Sequence, residues 1–173
     1  MVLCFSPKLR LGLTVISSDA TRKSLAGTLE RREAPYGEEI YTPAMTEMTY
    51  AKMAQTAEEE IVAGRGAILD ATFQKAAQRS VIFDLARRRD VPLALVHCHA
   101  PDSLVRERLF RRAQEGTDLS DGRWDIYQAQ KEALEPVAEF SPRAYLALDT
   151  GSPPEKLAAR VESFLLSVLK RRS

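Results

Sequence analysis

Cysteine and histidine are scarce in this sequence. Its 173 residues include 2 cysteines and 2 histidines, and Cys4 and Cys98 lie far apart without a CxxC spacing. This pattern argues against a disulfide framework and favours a reducing, cytoplasmic setting. His97 and His99 would share one face of a strand, but no third ligand stands at a usual spacing, so we do not expect a zinc site.

Long apolar runs and an excess of one sign of charge are also absent. No apolar stretch approaches the roughly 18 residues of a membrane span, and the start MVLCFSPKLR has neither a basic leader nor a small-residue cleavage site. There are 25 basic and 24 acidic residues, a formal net charge of +1. We therefore expect no membrane partner. A nucleic acid partner is disfavoured, because phosphate tracking needs a basic groove.

Four short stretches rich in β-branched residues or leucine alternate with longer segments of helical period. The stretches are Leu13–Ile16, Ala67–Leu69, Leu93–Cys98 and Tyr145–Leu148. Helices are indicated from Thr42-Pro43 toward Ala63, from Lys75 to Arg89, and after Ser152. The alternation predicts an α/β fold with a largely parallel sheet and crossover helices. Without an internal repeat or linker, residues 1–173 are expected to form one domain.

The stretch TVISSDATRK, residues 14–23, leads from an apolar strand into a helical segment. Asp19 and Arg22 would share one face of the first helical turn, because residues three apart are neighbours there. A carboxylate at a strand end can accept a proton from a substrate hydroxyl, and an arginine one turn on can hold an anionic group. The structural alternative is that Asp19 caps the helix and forms an ion pair with Arg22.

A second strand end carries an acidic residue. In AILDATF, residues 67–73, the apolar stretch ends at Asp70, and Thr72 follows. A carboxylate there can hold a magnesium-bound water beside a nucleotide, or it can cap the next helix. The carboxyl ends of parallel strands open into one crevice, so we expect Asp19 and Asp70 to face the same site.

Arginines cluster in the stretch LVRERLFRRAQEG, residues 104–116. On a helix, Arg108, Arg111 and Arg112 would fall on one broad side, ahead of a polar, acidic loop. Such a cluster can form a lid that clamps transferring phosphates. The alternative is a solvated helix face.

Four stretches occur in a familiar order: SSDATRK, APYGEEIYTP, ILDATF, and HAPDSLVRERLFRRAQEG with TDLSD behind it. Together they resemble the P-loop small-molecule kinases of the AAA-like "predicted kinase" family, relatives of gluconate kinase and of the 5′-polynucleotide kinase domain. The resemblance covers about residues 12–150. It implies a three-layer fold with helices on both faces of a parallel sheet, and an ATP-dependent phosphotransferase acting on a hydroxyl of a small molecule.

The resemblance also implies residue roles, with ATP and magnesium as cofactors. On the acceptor side, Asp19 would be the base or orienter, Arg22, Ser18 and Thr72 would contact substrate, and Asp70 would approach magnesium through a water. On the nucleotide side, Arg108 and Arg112 would belong to the lid, and the segment 149–152 would lie near the adenine. The implied partner is a hydroxyl compound with an anionic group: a sugar, sugar acid, nucleoside or nucleic acid end.

The family's phosphate loop, GxxxxGK[ST], is missing, because none of the 8 glycines is followed by lysine. The family places that loop between a central first strand and a helix, ahead of the strand at Leu13. Only residues 1–12 precede Leu13, and Val2–Phe5 could replace part of the strand. We expect a cleft in the core or a rearranged sheet, and little or no kinase activity from what resembles an N-terminally incomplete domain.

Three functions stay open from the sequence. The first is a phosphotransferase domain whose first segment comes from upstream sequence or from a separate chain. The second is a non-catalytic remnant that binds a nucleotide or a partner. The third, a polynucleotide-binding relative, is disfavoured by the near-neutral charge. An exposed gap in the sheet would favour a homo-oligomer.

Overall fold

The computed structural model describes residues 2–4, 13–27, 41–115 and 124–169. These ranges contain the strands β1 Val2–Cys4, β2 Leu13–Ser17, β3 Gly66–Asp70, β4 Leu93–His99 and β5 Tyr145–Asp149. They also contain the helices α1 Ser18–Leu25, α2 Pro43–Val62, α3 Ala76–Arg88, α4 Asp102–Glu115, α5 Trp124–Glu132 and α6 Pro154–Leu169. The four strands predicted from apolar stretches are confirmed. In the part of the chain described, no helix is long and apolar enough to cross a membrane.

The strands form one sheet in the order β2-β3-β1-β4-β5. The outer pairs β2–β3 and β4–β5 are parallel, whereas β1 is antiparallel to both of its neighbours. The sheet is therefore rearranged at its centre, and the prediction of a largely parallel sheet is wrong for β1. A parallel β1 would need a crossover of about a dozen residues or more. The eight residues between β1 and β2 are fewer than that, in agreement with the antiparallel direction of β1.

Helices cover both faces of the sheet, which confirms the three-layer α/β fold. On one face, α2 and α3 bury Met53, Ala57 and Ile82 against β3 and β4. On the other face, α6 packs residues such as Phe164 and Leu165 against the second side of β4 and β5. Each helix contributes an apolar stripe, as expected for helices that flank a sheet.

Local signals explain where the helices around the site begin and end. The Thr42 hydroxyl accepts a hydrogen bond from the Met45 N–H at 3.2 Å, and Pro43 occupies the first helical position of α2. Gly64 follows α2 with a φ of +76°, a conformation that glycine adopts without a Cβ clash. The next strand, β3, therefore starts two residues later and runs toward the predicted site.

Candidate functional site

The first part of the site is the junction of β2 and α1, which has no intervening loop. Ser17 ends the strand and also caps the helix, with its hydroxyl oxygen 3.5 Å from the Ala20 nitrogen. Asp19 lies in the first turn, so the alternative that Asp19 itself caps the helix is wrong. The predicted proximity is confirmed: Asp19 Oδ1 lies 3.7 Å from Arg22 Nη1. The preceding residue, Ser18, is the first residue of α1 and is half-buried.

Arg22 is unusually enclosed for an arginine near a crevice. It is 8% exposed, and within the described ranges its Nε has no hydrogen-bond partner. Its guanidinium carbon lies 4.9 Å from the centre of the Tyr41 ring, a cation–π distance. The 3.7 Å contact with Asp19 is longer than a charge-assisted hydrogen bond of about 2.8 Å. An unfilled, buried donor of this kind is costly unless an acceptor binds to it.

Lys23, beside Arg22 on α1, is also buried, at 3% exposed. No motif in the sequence pointed to this residue. Lys23 places a second cation beside Arg22, near the carboxylate of Asp19, and adds positive potential to this part of α1. No periodic pattern could have revealed this burial, because an eight-residue helix hides two successive residues only when other parts of the chain enclose it.

The second part of the site is the end of β3, beside the end of β2. Ser17 and Asp70 are partners in the parallel register, so the two predicted acidic positions follow adjacent strand ends. Asp70 is exposed, and it does not cap α3, which starts at Ala76 after its N-cap residue Lys75. The capping alternative for Asp70 is therefore wrong. Its carboxylate is accessible to a ligand at the carboxyl edge of the sheet.

Thr72 follows on a loop that the core holds firmly. Its hydroxyl lies 3.5 Å from the Tyr50 hydroxyl, which accepts the Phe73 N–H at 3.1 Å. Phe73 has a φ of +48°, which is uncommon for a residue with a large side chain. Its ring is buried and lies 5.1 Å from the Tyr50 ring. Tyr50 thus fixes a strained backbone that carries Thr72 beside Asp70.

Arg79 stabilises the same loop through hydrogen bonds to its backbone, a role that no motif in the sequence indicated. It is 1% exposed, and its guanidinium donates to the carbonyls of Phe73 and Pro136, each at 2.9 Å. It also forms an ion pair of 2.9 Å with Glu139. This satisfied arginine is structural, in contrast to Arg22 with its unfilled Nε.

A small cavity of about 30 Å³ adjoins this loop. Thr72, Phe73, Arg79 and His97 contribute to its lining. The volume holds about one or two water molecules, so it is far too small for a nucleotide. His97 Nδ1 lies 2.8 Å from the Tyr145 hydroxyl, and burial lowers the pKa of His97. The described ranges contain no group of three or more His, Cys, Asp or Glu side chains that could hold a metal ion.

The predicted lid residues lie on the other side of β1. Arg108, on α4, donates to the Thr150 hydroxyl at 2.9 Å and to the Thr150 carbonyl at 2.6 Å. It therefore adjoins the segment 149–152, which the resemblance places near an adenine. Arg112 is exposed on the same helix. The TDLSD stretch lies outside the described residues.

The residues predicted for the acceptor side follow adjacent strand ends, whereas the described residues contain no phosphate cradle. Asp19, Arg22, Asp70 and Thr72 follow the adjacent ends of β2 and β3. At the centre of that edge, β1 starts at Val2 and runs away from it, so no strand leads into a phosphate loop there. The residues that hold the β- and γ-phosphates and magnesium in P-loop enzymes are the loop's backbone N–H groups, lysine and Ser/Thr. The described residues therefore do not fit the triphosphate of ATP with magnesium.

Comparisons with known proteins agree with this fold. A family described as "AAA domain" matches residues 7–137, more than half of the chain. The chain is similar in structure to a gluconokinase from Sinorhizobium meliloti 1021, with a TM-score of 0.53. The two are 21% identical, and the match covers 92% of this chain and 78% of that chain. No curated protein matches the sequence.

Proposed function

The chain belongs to the AAA domain family of P-loop kinase-like proteins, and from that premise we propose that it carries the acceptor-binding half of a small-molecule phosphotransferase. The proposed ligand is a hydroxyl compound with an anionic group. The proposal includes little or no kinase activity for the chain by itself. Proteins of this family generally use ATP and magnesium, but the phosphate loop that binds them has no counterpart in the sequence.

The observation that carries the proposal is the enclosed Arg22 with an unfilled Nε. An anionic group of the acceptor would supply the missing hydrogen-bond acceptor, and Lys23 would add to the positive potential. Binding would need little further desolvation of the guanidinium, since Arg22 is already buried and lies over the Tyr41 ring.

The neighbouring groups suit the reacting hydroxyl. Asp19, whose Oδ1 lies 3.7 Å from Arg22 Nη1, would accept a hydrogen bond and later the proton from that hydroxyl. Ser18 and Thr72 supply further hydroxyls at the two strand ends, and exposed Asp70 lies beside them. A role for Asp70 with a magnesium-bound water remains a prediction.

Gluconate is a suitable probe because it joins hydroxyls to a carboxylate, and the structurally similar protein is named a gluconokinase. We expect the chain to bind gluconate or inorganic phosphate in calorimetric titration. Arg22→Gln should weaken binding by roughly tenfold or more, because one charge-assisted hydrogen bond is worth about 1.5 to 3 kcal/mol.

Arg87→Gln is the matched control. The Arg87 side chain is 75% exposed on α3, and its ion pair is with Asp84 on the same helix. Circular dichroism would establish that both variants fold. Equal affinities of the two variants would contradict the assignment of Arg22 to the acceptor.

A non-catalytic partner-binding module is the second candidate, and the direction of β1 favours it. The family's phosphate loop follows the carboxyl end of a parallel central strand. Here the central strand β1 is antiparallel and begins at that edge, so its carboxyl end lies at the opposite edge. If neither probe binds to the folded chain, this second function replaces the first.

A further inference from the structure

The outer edge of β2 is open in the part of the chain that the structure describes. β2 is the first strand in the sheet order and pairs only with β3 among the described strands. An edge strand presents unpaired N–H and C=O groups on its outer side. These groups form a ready template for another extended strand.

β2 also lacks the features by which proteins block an edge. Its sequence, LTVIS, contains no charge, proline or glycine. Val15, its central residue, is 63% exposed and lies on the face of the sheet that α6 covers farther along. Natural edge strands are commonly protected by lysine, proline or a bulge, so this edge is suited to pairing.

The opposite edge of the same sheet differs. The Arg160 guanidinium on α6 donates a hydrogen bond to the Ala147 carbonyl in β5, and β5 ends in Asp149. Arg160 thus binds one backbone carbonyl of β5, and the charged residue Asp149 ends the strand. The contrast indicates that only the β2 side is suited to further strand pairing.

We propose that two copies of this chain pair antiparallel through β2, about a two-fold axis at Val15, and so join two sheets into one. Val15 then lies opposite the partner's Val15, and Thr14 lies opposite the partner's Ile16. No like charges meet, and β-branched residues fit opposite each other across antiparallel strands. The exposed apolar side chain of Val15 becomes buried in the pair.

A second copy fits this edge better than a different protein. A two-fold arrangement makes an uncharged five-residue strand complementary to itself, because each copy offers the same backbone groups in the opposite direction. β2 has no charged residue, so it offers no charge complementarity to a different protein. The pairing also occupies the β2 edge of each copy, so no β2 edge is left for a third copy.

Sedimentation velocity over a range of concentrations tests the proposal. We expect the chain to form a dimer that dissociates on dilution, and Val15→Lys to raise the dissociation constant by roughly tenfold or more. Val62→Lys is the matched control, since Val62 is 67% exposed but lies near the end of α2. A monomer at every concentration, larger polymers, or equal effects of the two substitutions would overturn the proposal.

A cross-link provides a second test that does not depend on weakening the dimer. Residues directly opposite in antiparallel strands have Cα atoms about 4.5 to 5.5 Å apart, within the disulfide range. In a background of Cys4→Ser and Cys98→Ser, Val15→Cys should form a covalent dimer under mild oxidation. Val62→Cys should not. Equal cross-linking yields would contradict pairing at Val15.

Discussion

At the scale of single residues, two buried arginines of this chain have opposite environments. Arg79 donates to two carbonyls and a carboxylate, so its burial is compensated. Arg22 is nearly as buried, but its Nε lacks a partner in the described ranges. Burial alone therefore does not distinguish the two arginines. The count of filled donors does, because an unfilled buried donor costs free energy that a ligand can recover.

The role of Arg79 leads to a prediction about stability. Arg79→Met keeps much of the side-chain volume but removes the donors to Phe73, Pro136 and Glu139. We expect the free energy of unfolding to fall by roughly 2 to 4 kcal/mol, since several buried acceptors lose their partner. Urea unfolding measures this. Arg87→Met, at a 75% exposed side chain, should change the value by less than about 0.5 kcal/mol; equal losses would contradict the structural role.

At the scale of elements, the sequence predicted the parts that depend on local pattern. The apolar stretches indicated β2, β3, β4 and β5, because strands that pack against helices are short and rich in β-branched residues or leucine. The strand-end positions of Asp19 and Asp70 followed from the same pattern. The direction of β1 did not, since three residues have no period and their pairing depends on the length of the connection. The burial of Lys23 and Arg79 was also unpredictable, because it depends on distant segments.

Glu60, on α2, binds side chains of β2 and of the segment before β3, and these contacts make the stability of the fold depend on pH. Its carboxylate accepts from Arg65 Nε at 2.6 Å, just before β3, and from the Thr14 hydroxyl in β2 at 2.7 Å. These hydrogen bonds, that from Arg65 first, lower the pKa of Glu60 from 4.5 to about 2. A carboxyl whose pKa is lower in the folded state stabilises fully above its unfolded pKa. That contribution disappears as the pH falls from 4.5 toward 2.

We therefore expect Glu60→Gln to lower the urea midpoint at neutral pH, and the difference from the unsubstituted chain to shrink on acidification. Unfolding curves recorded at a series of pH values between about 6 and 2.5 measure this difference. Glu59→Gln, at an exposed neighbour on α2, is the control and should show little change. A difference between Glu60→Gln and the unsubstituted chain that grows toward low pH would contradict the assignment.

At the scale of the whole molecule, the sheet consists of two parallel pairs joined by an antiparallel central strand. β2 and β3 form one parallel pair, and β4 and β5 form another. In the described ranges β1 alone connects them, through three residues on each side. The residues predicted for the acceptor side follow the first pair, whereas Arg108 contacts Thr150 beside the second. The residues predicted for the two sides of a site therefore lie at the two parallel pairs, with β1 between them.

This arrangement predicts that the folded chain does not bind ATP with magnesium at micromolar concentration. The main contributions to triphosphate binding are backbone N–H groups and a lysine of the phosphate loop, and neither Arg108 nor Asp70 can replace several such donors. Calorimetric titration with ATP and magnesium should give no binding heat from a chain that circular dichroism shows to be folded. Micromolar binding that Asp70→Ala abolishes would overturn the prediction. It would mean that the exposed carboxylate at the end of β3 and the arginines of α4 hold a nucleotide without the loop, and acceptor binding at Arg22 would remain a separate property.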